Sequence, residues 1–596
     1  MSRWYLTSSE KADNGARFAC QQANLRSSGH ISDPNCRGQA YFKRAVTTPN
    51  LVRCGENDWI CCAGTLVYNG QLGERALQDC YADFVTSGAP FIQSKAIGHY
   101  AIAIRRGDDL TIFTDPQGAL TLHYANTGSF WFVSNSLQLC AGALSRSKLD
   151  STKLLVAILQ SSLPGEDTYY QNVRRLFGTQ IIRIALRSGT LRVERMGCAA
   201  PTISWRLPTI EDAVRQYVSE VRAVFQEFKA IAPIALLGTG GLDSRTILAA
   251  LLDQQIRPQL MYGIGNSHLT DYWLGDIEVA KALAKGSNLP FKQLDWSGTQ
   301  PHSEQTLRTL FQTYGFKYEI YGAPEAFLRG YNGGITPYPK MFLGGYSPAF
   351  TNSKPWELKQ ASFSLDDLVA NSMAFQGGTI EESRCIIDKA AYRTTYAEEI
   401  RKGLHWADVD FPDHGASLQS YVRAKLFFYI RAESRYLNFV NEFGHYVAPF
   451  LMKRLYDPLL NVPLEFRAND EFQIRLIHAF APALSEVPLF TGWGPARIDR
   501  STFRLVRDIA APKRSIVERV GRRAQALCSH VEILDKVVGD KATRRDTAII
   551  QTYGREVMND PLGQRWFNST SEFAPKIMAR IWHYLVGVNT MGYTEE

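Results

Sequence analysis

No stretch of this 596-residue sequence approaches the ~20 consecutive apolar residues that a membrane-spanning helix needs, so no membrane role is expected. The opening MSRWYLTSSEKADNG has no apolar signal core. The 10 cysteines form no C-x-x-C pair, and no His/Cys cluster has zinc spacing. Their expected role is that of small buried hydrophobes in a reduced, cytoplasmic protein. There is no internal repeat and no low-complexity linker. The charge excess is small, 66 basic against 58 acidic residues, and a net +8 spread over this length gives no ground for a nucleic-acid partner. Basic residues do gather late, from Arg497 through Arg504, Arg507 and Lys513 to Arg523, and are read as a solvated helix face. Also missing is G-x-x-x-x-G-K-[ST], so a Walker A phosphate loop is excluded.

With 45% hydrophobic and 21% charged residues, the chain has the composition of an ordinary globular protein, long enough for roughly two to four domains. The most informative stretch is IALLGTGGLDSRTILAA, Ile234 to Ala250. Its apolar start predicts a buried parallel strand. A tight turn, Thr239-Gly240-Gly241-Leu242-Asp243-Ser244, follows, and then a helix beginning near Arg245. A strand, a glycine turn and a helix N-terminus together make an anion site, because the first N–H groups of a helix have no internal partner and its dipole favours negative charge. Glycines allow close backbone approach, and the Thr239 and Ser244 hydroxyls are expected to add donors. Asp243 would repel a bare phosphate, which points to a bridging Mg²⁺.

These residues resemble the S-G-G-x-D-S pyrophosphate loop of the ATP pyrophosphatase superfamily, with Thr239 for the first Ser. The resemblance implies cleavage of ATP between its α and β phosphates and adenylation of a substrate oxygen.

The first ~200 residues read as short strands. IGHYAIAIRRGDDLTIFTD (Ile97 to Asp115) predicts a hairpin around Gly-Asp-Asp, and SFWFVSN and TQIIRIAL continue the β pattern. A longer helix is expected from Thr209, which caps it with Asp212 three residues on; Val214, Tyr217, Val218, Val221 and Phe225 form its apolar stripe. The boundary therefore falls near 200 to 208, dividing 1–205 from 206–596.

LVYNGQL (Leu66 to Leu72) resembles the N-G-E loop of class II glutamine amidotransferases, and IGHYAIAI with TDPQGALTLHY resembles their paired strands and D-x-x-G-x-x-x-L-x-Y segment. Those domains carry an N-terminal nucleophile, a cysteine directly after the initiator Met. Here Ser2, Arg3 and Trp4 follow Met1, and the nearest thiol is Cys20. The resemblance thus implies a degenerate, structural αββα sandwich without glutaminase activity.

Such a front joined to a pyrophosphate loop resembles the asparagine synthetase B-type family, over most of the chain to about residue 495. The implied fold class is α/β, with an α+β front, a parallel-sheet adenylating domain and a helical C-terminal part. In LMYGIG, Tyr262 and Gly263 would lie on the strand whose backbone reads adenine. GDIEVAKALAKGSNLPFKQLDW resembles the next helix and strand. Gly344-Gly345-Tyr346 matches the second, pyrophosphate-facing glycine loop, and HYVAPFLMKRLYDPLLNVP matches the P-F-L-D segment with Met452 for Asp.

The resemblance is greatest to members without glutaminase, the lasso-peptide cyclases and β-lactam synthetases. In these, a Tyr of the second glycine loop paired with a Glu helps deprotonate the attacking amine; Tyr346 and Glu433, sixteen residues before Pro449, match (449 − 433). Bland alternatives, a core tyrosine and a surface glutamate, stay open. Two departures stand out. Ser347-Pro348-Ala349 offers no second metal carboxylate, and VPLFTGWGPARI has no pyrophosphate-binding Lys, which leaves Arg497 or Lys513. The implied function is ATP- and Mg²⁺-dependent amide formation, foremost macrolactam closure of a precursor peptide, with a leader peptidase and a precursor-recognition protein as partners. Alternatives are a synthetase acting on a small carboxylate substrate (amide or β-lactam), a non-catalytic scaffold and, last, a tRNA-modifying pyrophosphatase.

Overall fold

The computed structural model describes residues 3–144, 147–160, 162–197, 209–265, 271–295, 303–315, 339–345, 350, 359–370, 385–467, 470–489, 496–498, 505–507, 551–569, 575–591 and 594–595. Two six-stranded antiparallel sheets make up the front region. The first runs in the order Val173–Arg175, His123–Asn126, Trp131–Ser134, Trp4–Thr7, Cys36–Tyr41, Ser27–Asp33. The second runs Thr190–Arg195, Gln180–Ala185, Asp109–Thr114, Ile97–Arg106, Trp59–Val67, Leu51–Arg53.

Strand alternation explains the layering. Trp4 and Leu6 point into the core between the sheets, where Trp59, Cys61 and Ala63 of the second sheet meet them. Tyr5, between Trp4 and Leu6, points the other way, into the core that holds Ala12 and Ala16 of the Glu10–Gln22 helix. Ile60 and Cys62 likewise turn to Leu77 and Cys80 of the Glu74–Lys95 helix. The result is the αββα order that the family resemblance implies. The expected hairpin is present, with a tighter turn: Arg106 pairs with Asp109, so the loop is Gly107-Asp108 and Asp109 already belongs to the strand. Gly107 takes the positive φ (58°) that this short turn demands.

Beyond it, the Ile210–Phe228 helix starts as expected, with the Thr209 hydroxyl accepting from the Asp212 N–H at 3.1 Å. Tyr217, Val218, Val221 and Phe225 are buried, while Val214 is only half-buried. The expected boundary falls among residues 198–208, outside the described residues.

A second architecture follows: five parallel strands in the order Phe291–Asp295, Leu260–Gly265, Ile234–Leu237, Met341–Gly344, Tyr446–Val447. From Ile234–Leu237 the chain moves outward on one side through two strands and then returns to the other side. The strand order therefore reverses beside Ile234–Leu237, and parallel sheets bind ligands at the carboxyl ends of the strands at such a point.

The two regions share one apolar core, which runs from Tyr5 and Leu154 through Val221 and Leu236 to Phe450 and Leu585. The helix Leu418–Val440 and the turn after it fasten them together. Asn438 accepts from the Thr121 N–H (3.1 Å) and donates to the Ala119 carbonyl (2.9 Å), and buried Arg3 pairs with buried Glu442 at 3.4 Å. Among the described residues no helix is long and apolar enough to cross a membrane. In the late basic segment, Arg497 and Arg507 lie on strands and not on the expected helix, since Ala496–Ile498 and Leu505–Arg507 pair antiparallel, while Arg504, Lys513 and Arg523 lie outside the described residues.

Candidate functional site

Ile234–Leu237 is buried throughout, a four-residue apolar strand whose end delivers the chain to Thr239. The helix starts at Leu242, three residues earlier than expected from the sequence, with Gly241 as its N-cap in extended conformation (φ −75°, ψ 173°). Among the described residues no side chain caps it, and Asp243 sits in the first turn. An acidic residue there is favoured by the helix dipole even without a ligand.

The loop holds its own shape. The Ser244 hydroxyl accepts from the Thr239 N–H (3.0 Å) and donates to the Thr239 carbonyl (3.1 Å), and the Thr239 hydroxyl accepts from the Gly241 N–H (3.3 Å). Both hydroxyls expected to add donors are thus hydrogen-bonded within the turn. Two residues not singled out from the sequence complete it. Arg245 is buried, and its guanidinium donates to the carbonyls of Gly240, Leu484, Val487 and Pro488. The Gln473 amide, from the Glu471–Phe480 helix, donates to Asp243 Oδ1 at 2.8 Å. A charged residue inside the apolar run after Asp243 was the available signal for Arg245; Gln473 had none.

The second glycine loop lies against the first. In register, Leu237 stands opposite Gly344. A Cβ on Gly345 would come within 2.3 Å of the Ser244 backbone nitrogen, and one on Gly344 would run into the Tyr446 ring and hydroxyl. Only glycine fits at either position. Tyr446 is buried, and its ring meets that of Tyr436 edge-on, with centroids 6.1 Å apart. Tyr436 lies on the Leu418–Val440 helix, three residues after Glu433. That places the Glu433 backbone within one helical turn of the wall behind Gly344; the Glu433 side chain and the whole of Tyr346 lie outside the described residues. Tyr262 and Gly263 lie on the strand beside Ile234–Leu237, with Tyr262 opposite Leu237; the Tyr262 side chain is outside the described residues. The Arg497 side chain and Lys513 are outside them as well.

A helix start without a side-chain cap and a glycine packed against it are the features a phosphate-binding loop uses, and they are consistent with a phosphate ligand at the turn. For Mg²⁺ the candidate ligand is Asp243 alone: among the described residues no group of three His, Cys, Asp or Glu side chains is placed to hold a metal ion.

In the front region, Asn69 and Gly70 both take positive φ (50° and 67°) and close a two-residue hairpin, with Tyr68 and Gln71 exchanging backbone hydrogen bonds. Ser2 is outside the described residues. Met452, which replaces the Asp of P-F-L-D, points at the front region, where its Sδ accepts from the Gly98 N–H at 3.3 Å. Beside it, buried His99 accepts the Ala448 N–H at its Nε2 (3.1 Å), and burial lowers its pKa from 6.5 to about 4. A depressed folded-state pKa means that the unfolded chain binds a proton the fold refuses. The His99 contribution is therefore complete above pH 6.5 and is lost as pH falls toward 4, up to about 3 kcal/mol. His99→Gln, which can still accept from Ala448, should flatten the melting-temperature profile over that window. Parallel acid limbs for variant and wild type would assign the loss to other groups.

No family model matches the chain, and no curated protein matches it. Among solved structures it is similar to the glutamine phosphoribosylpyrophosphate amidotransferase from B. subtilis complexed with ADP and GMP. That likeness has 10% identity, covers 58% of this chain and 76% of that one, and has a TM-score of 0.22. A structure described as the allosteric regulatory enzyme of purine biosynthesis matches at 8% identity over 71% of this chain and 91% of that one, with a TM-score of 0.24. At such scores fold and function rest on the chain's own residues.

Proposed function

We propose that this chain is an ATP-dependent amide-forming synthetase that adenylates a carboxylate and passes the acyl group to an amine, with macrolactam closure of a lasso-type precursor peptide as the reaction. The observation that carries the reading is the packing of Gly345 against Ser244, which brings the two glycine loops together at the carboxyl ends of adjacent parallel strands, where the strand order reverses. Backbone N–H groups at the Leu242 helix start would hold the phosphates, and Asp243 would hold Mg²⁺, which neutralises charge on the leaving pyrophosphate. In the first step a substrate carboxylate oxygen attacks the α-phosphorus, and the bond to the β-phosphate oxygen breaks. In the second the amine attacks the acyl carbon, AMP leaves, and the amine proton passes to Tyr346 and on to Glu433. Keeping both ends of one substrate in a closed site supplies effective molarity. The partners that go with this reading are a precursor peptide, a leader peptidase and a precursor-recognition protein.

The test supplies a linear peptide with a free N-terminal amine and an acidic residue at ring distance, together with ATP. AMP and pyrophosphate should form with the cyclic amide, and glutamine should neither stimulate the reaction nor be converted to glutamate. Tyr346→Phe and Glu433→Gln should each slow amide formation at least tenfold while pyrophosphate release continues, and the double variant should be little worse than either. Product at the normal rate from Tyr346→Phe would reduce Tyr346 to packing. ADP and phosphate as products would overturn adenylation itself.

A further inference from the structure

Apart from the glycine loops, a cleft opens where the front sheet meets the Leu418–Val440 and C-terminal Pro575–Met591 helices. No residue of either glycine loop lines it. One wall is apolar and aromatic, with Leu163, Tyr169 and Tyr314. Arg175 also lines the cleft.

Arg175 is buried, and its Nη2 donates to the Ser434 hydroxyl at 3.1 Å and, more distantly, to the Gly118 carbonyl at 3.4 Å. Its Nε is buried with no hydrogen-bond partner, and among the described residues no carboxylate lies within ion-pair distance of it. A second buried guanidinium, Arg431, lies over the Phe177 ring at 4.1 Å, with Nε and Nη1 also unpartnered. Desolvation pushes both toward the neutral form, Arg175 to about 9, and each is disfavoured or favoured by its neighbours in turn: Arg175 depresses Arg431, and Asp115 supports both.

Asp115 is one carboxylate for two cations, and its own oxygens already accept backbone N–H groups of Gln117, Ala119 and Leu120. Asp167 also lines the cleft, but Lys153 and Lys402 both donate to it at 2.7 Å, and with Asp150 and Glu399 these lysines form one ion-pair cluster, so Asp167 is already engaged. Arg175 is thus a buried cation on the cleft lining with an unpartnered Nε and no ion-paired carboxylate among the described residues. A buried cation without an anion is strongly unfavourable, so Arg175 calls for a negative group in the open space beside it. Gln138, on the same lining, has a buried Oε1 with no partner, an acceptor waiting for an N–H or O–H.

We infer that this cleft binds a small organic carboxylate, with its acidic group on Arg175, its body against Tyr169 and Tyr314, and a hydroxyl or amino donor on Gln138. A carboxylate matches the guanidinium fork, and the aromatic wall favours a flat body over a bare inorganic anion. The inference does not depend on the adenylation reading, because the glycine loops take no part in it.

The experiment is calorimetric titration of the full chain with 4-hydroxybenzoate, its neutral amide and inorganic phosphate. Millimolar or tighter binding of 4-hydroxybenzoate is expected, with the amide at least tenfold weaker. Arg175→Met should weaken binding at least tenfold. Should that variant fail to fold, Gln138→Glu gives an independent test: it places an internal carboxylate in the cleft and should both displace the probe and raise the melting temperature. Asp243→Asn should bind the probe as the wild type does, which separates this site from the nucleotide reading. Equal binding of acid and amide, phosphate binding without 4-hydroxybenzoate binding, no binding at millimolar concentration, or undiminished binding in a folded Arg175→Met or Gln138→Glu protein would each overturn the assignment.

Discussion

Asp243→Asn should yield a folded protein that no longer releases pyrophosphate from ATP, with a rate loss on the order of 10³-fold or more, about 4 kcal/mol of transition-state stabilisation. The fold should survive because asparagine keeps an oxygen where Asp243 Oδ1 accepts from Gln473. What it loses is the negative charge, and that charge has two roles of very different size. Toward the helix dipole it contributes on the order of 0.3–1 kcal/mol, so the melting temperature should fall only slightly. Toward a cation bridging it to the phosphates, the charge decides whether the metal is held at all. The two contributions are separable in one preparation, by calorimetry for the first and a pyrophosphate assay for the second. A variant that melts like wild type and still releases pyrophosphate at the wild-type rate would take Asp243 out of the chemistry and leave it as a helix-start residue.

How much of this was legible in the sequence depended on distance along the chain. The hairpin from Ile97 to Thr114 carries its own turn. The Thr209 cap lies three residues from its partner. Such signals are local and could be read directly. The glycine turn was legible for the same reason, but its helix start was misplaced: Leu242 and Asp243 look like turn residues until Gly241 is seen to act as the N-cap. The direction of the Thr239 and Ser244 hydroxyls could not be read, because residue type gives donor capacity and not orientation. Residues joined only by the fold had no signal. Gln473 reaches Asp243 across 230 residues, Tyr446 closes over Gly344, and Met452 gave no hint that its sulfur would accept from Gly98. Each depends on how the parallel sheet closes against the helices behind it.

Gly345→Ala tests that closure directly and should be the most disruptive single methyl in the site. The added Cβ would stand 2.3 Å from the Ser244 nitrogen and 2.6 Å from its Cα. Both are backbone atoms in the first turn of a helix, so no rotamer change can relieve the contact. Either the Met341–Gly344 strand or the Leu242 helix start must move. Overpacking of this kind costs about 1–3 kcal/mol. The displacement should matter more than that cost, because the Ser244 hydroxyl ties down Thr239 and the Arg245 clamp holds the Gly240 carbonyl. Moving Ser244 therefore spoils the whole cradle at once. Gly15 is the matched control: it lies in the Glu10–Gln22 helix with nothing within 4 Å of a Cβ, so Gly15→Ala should be neutral or stabilising by up to about 1 kcal/mol. Melting each protein with and without ATP separates the effects. On the proposed reading ATP should raise the melting temperature of the wild type; Gly345→Ala should melt lower and lose that increase, while Gly15→Ala keeps it. A Gly345→Ala protein that melts with the wild type and is still stabilised by ATP would mean that the two glycine loops do not meet as described, and the nucleotide reading would lose the observation that carries it.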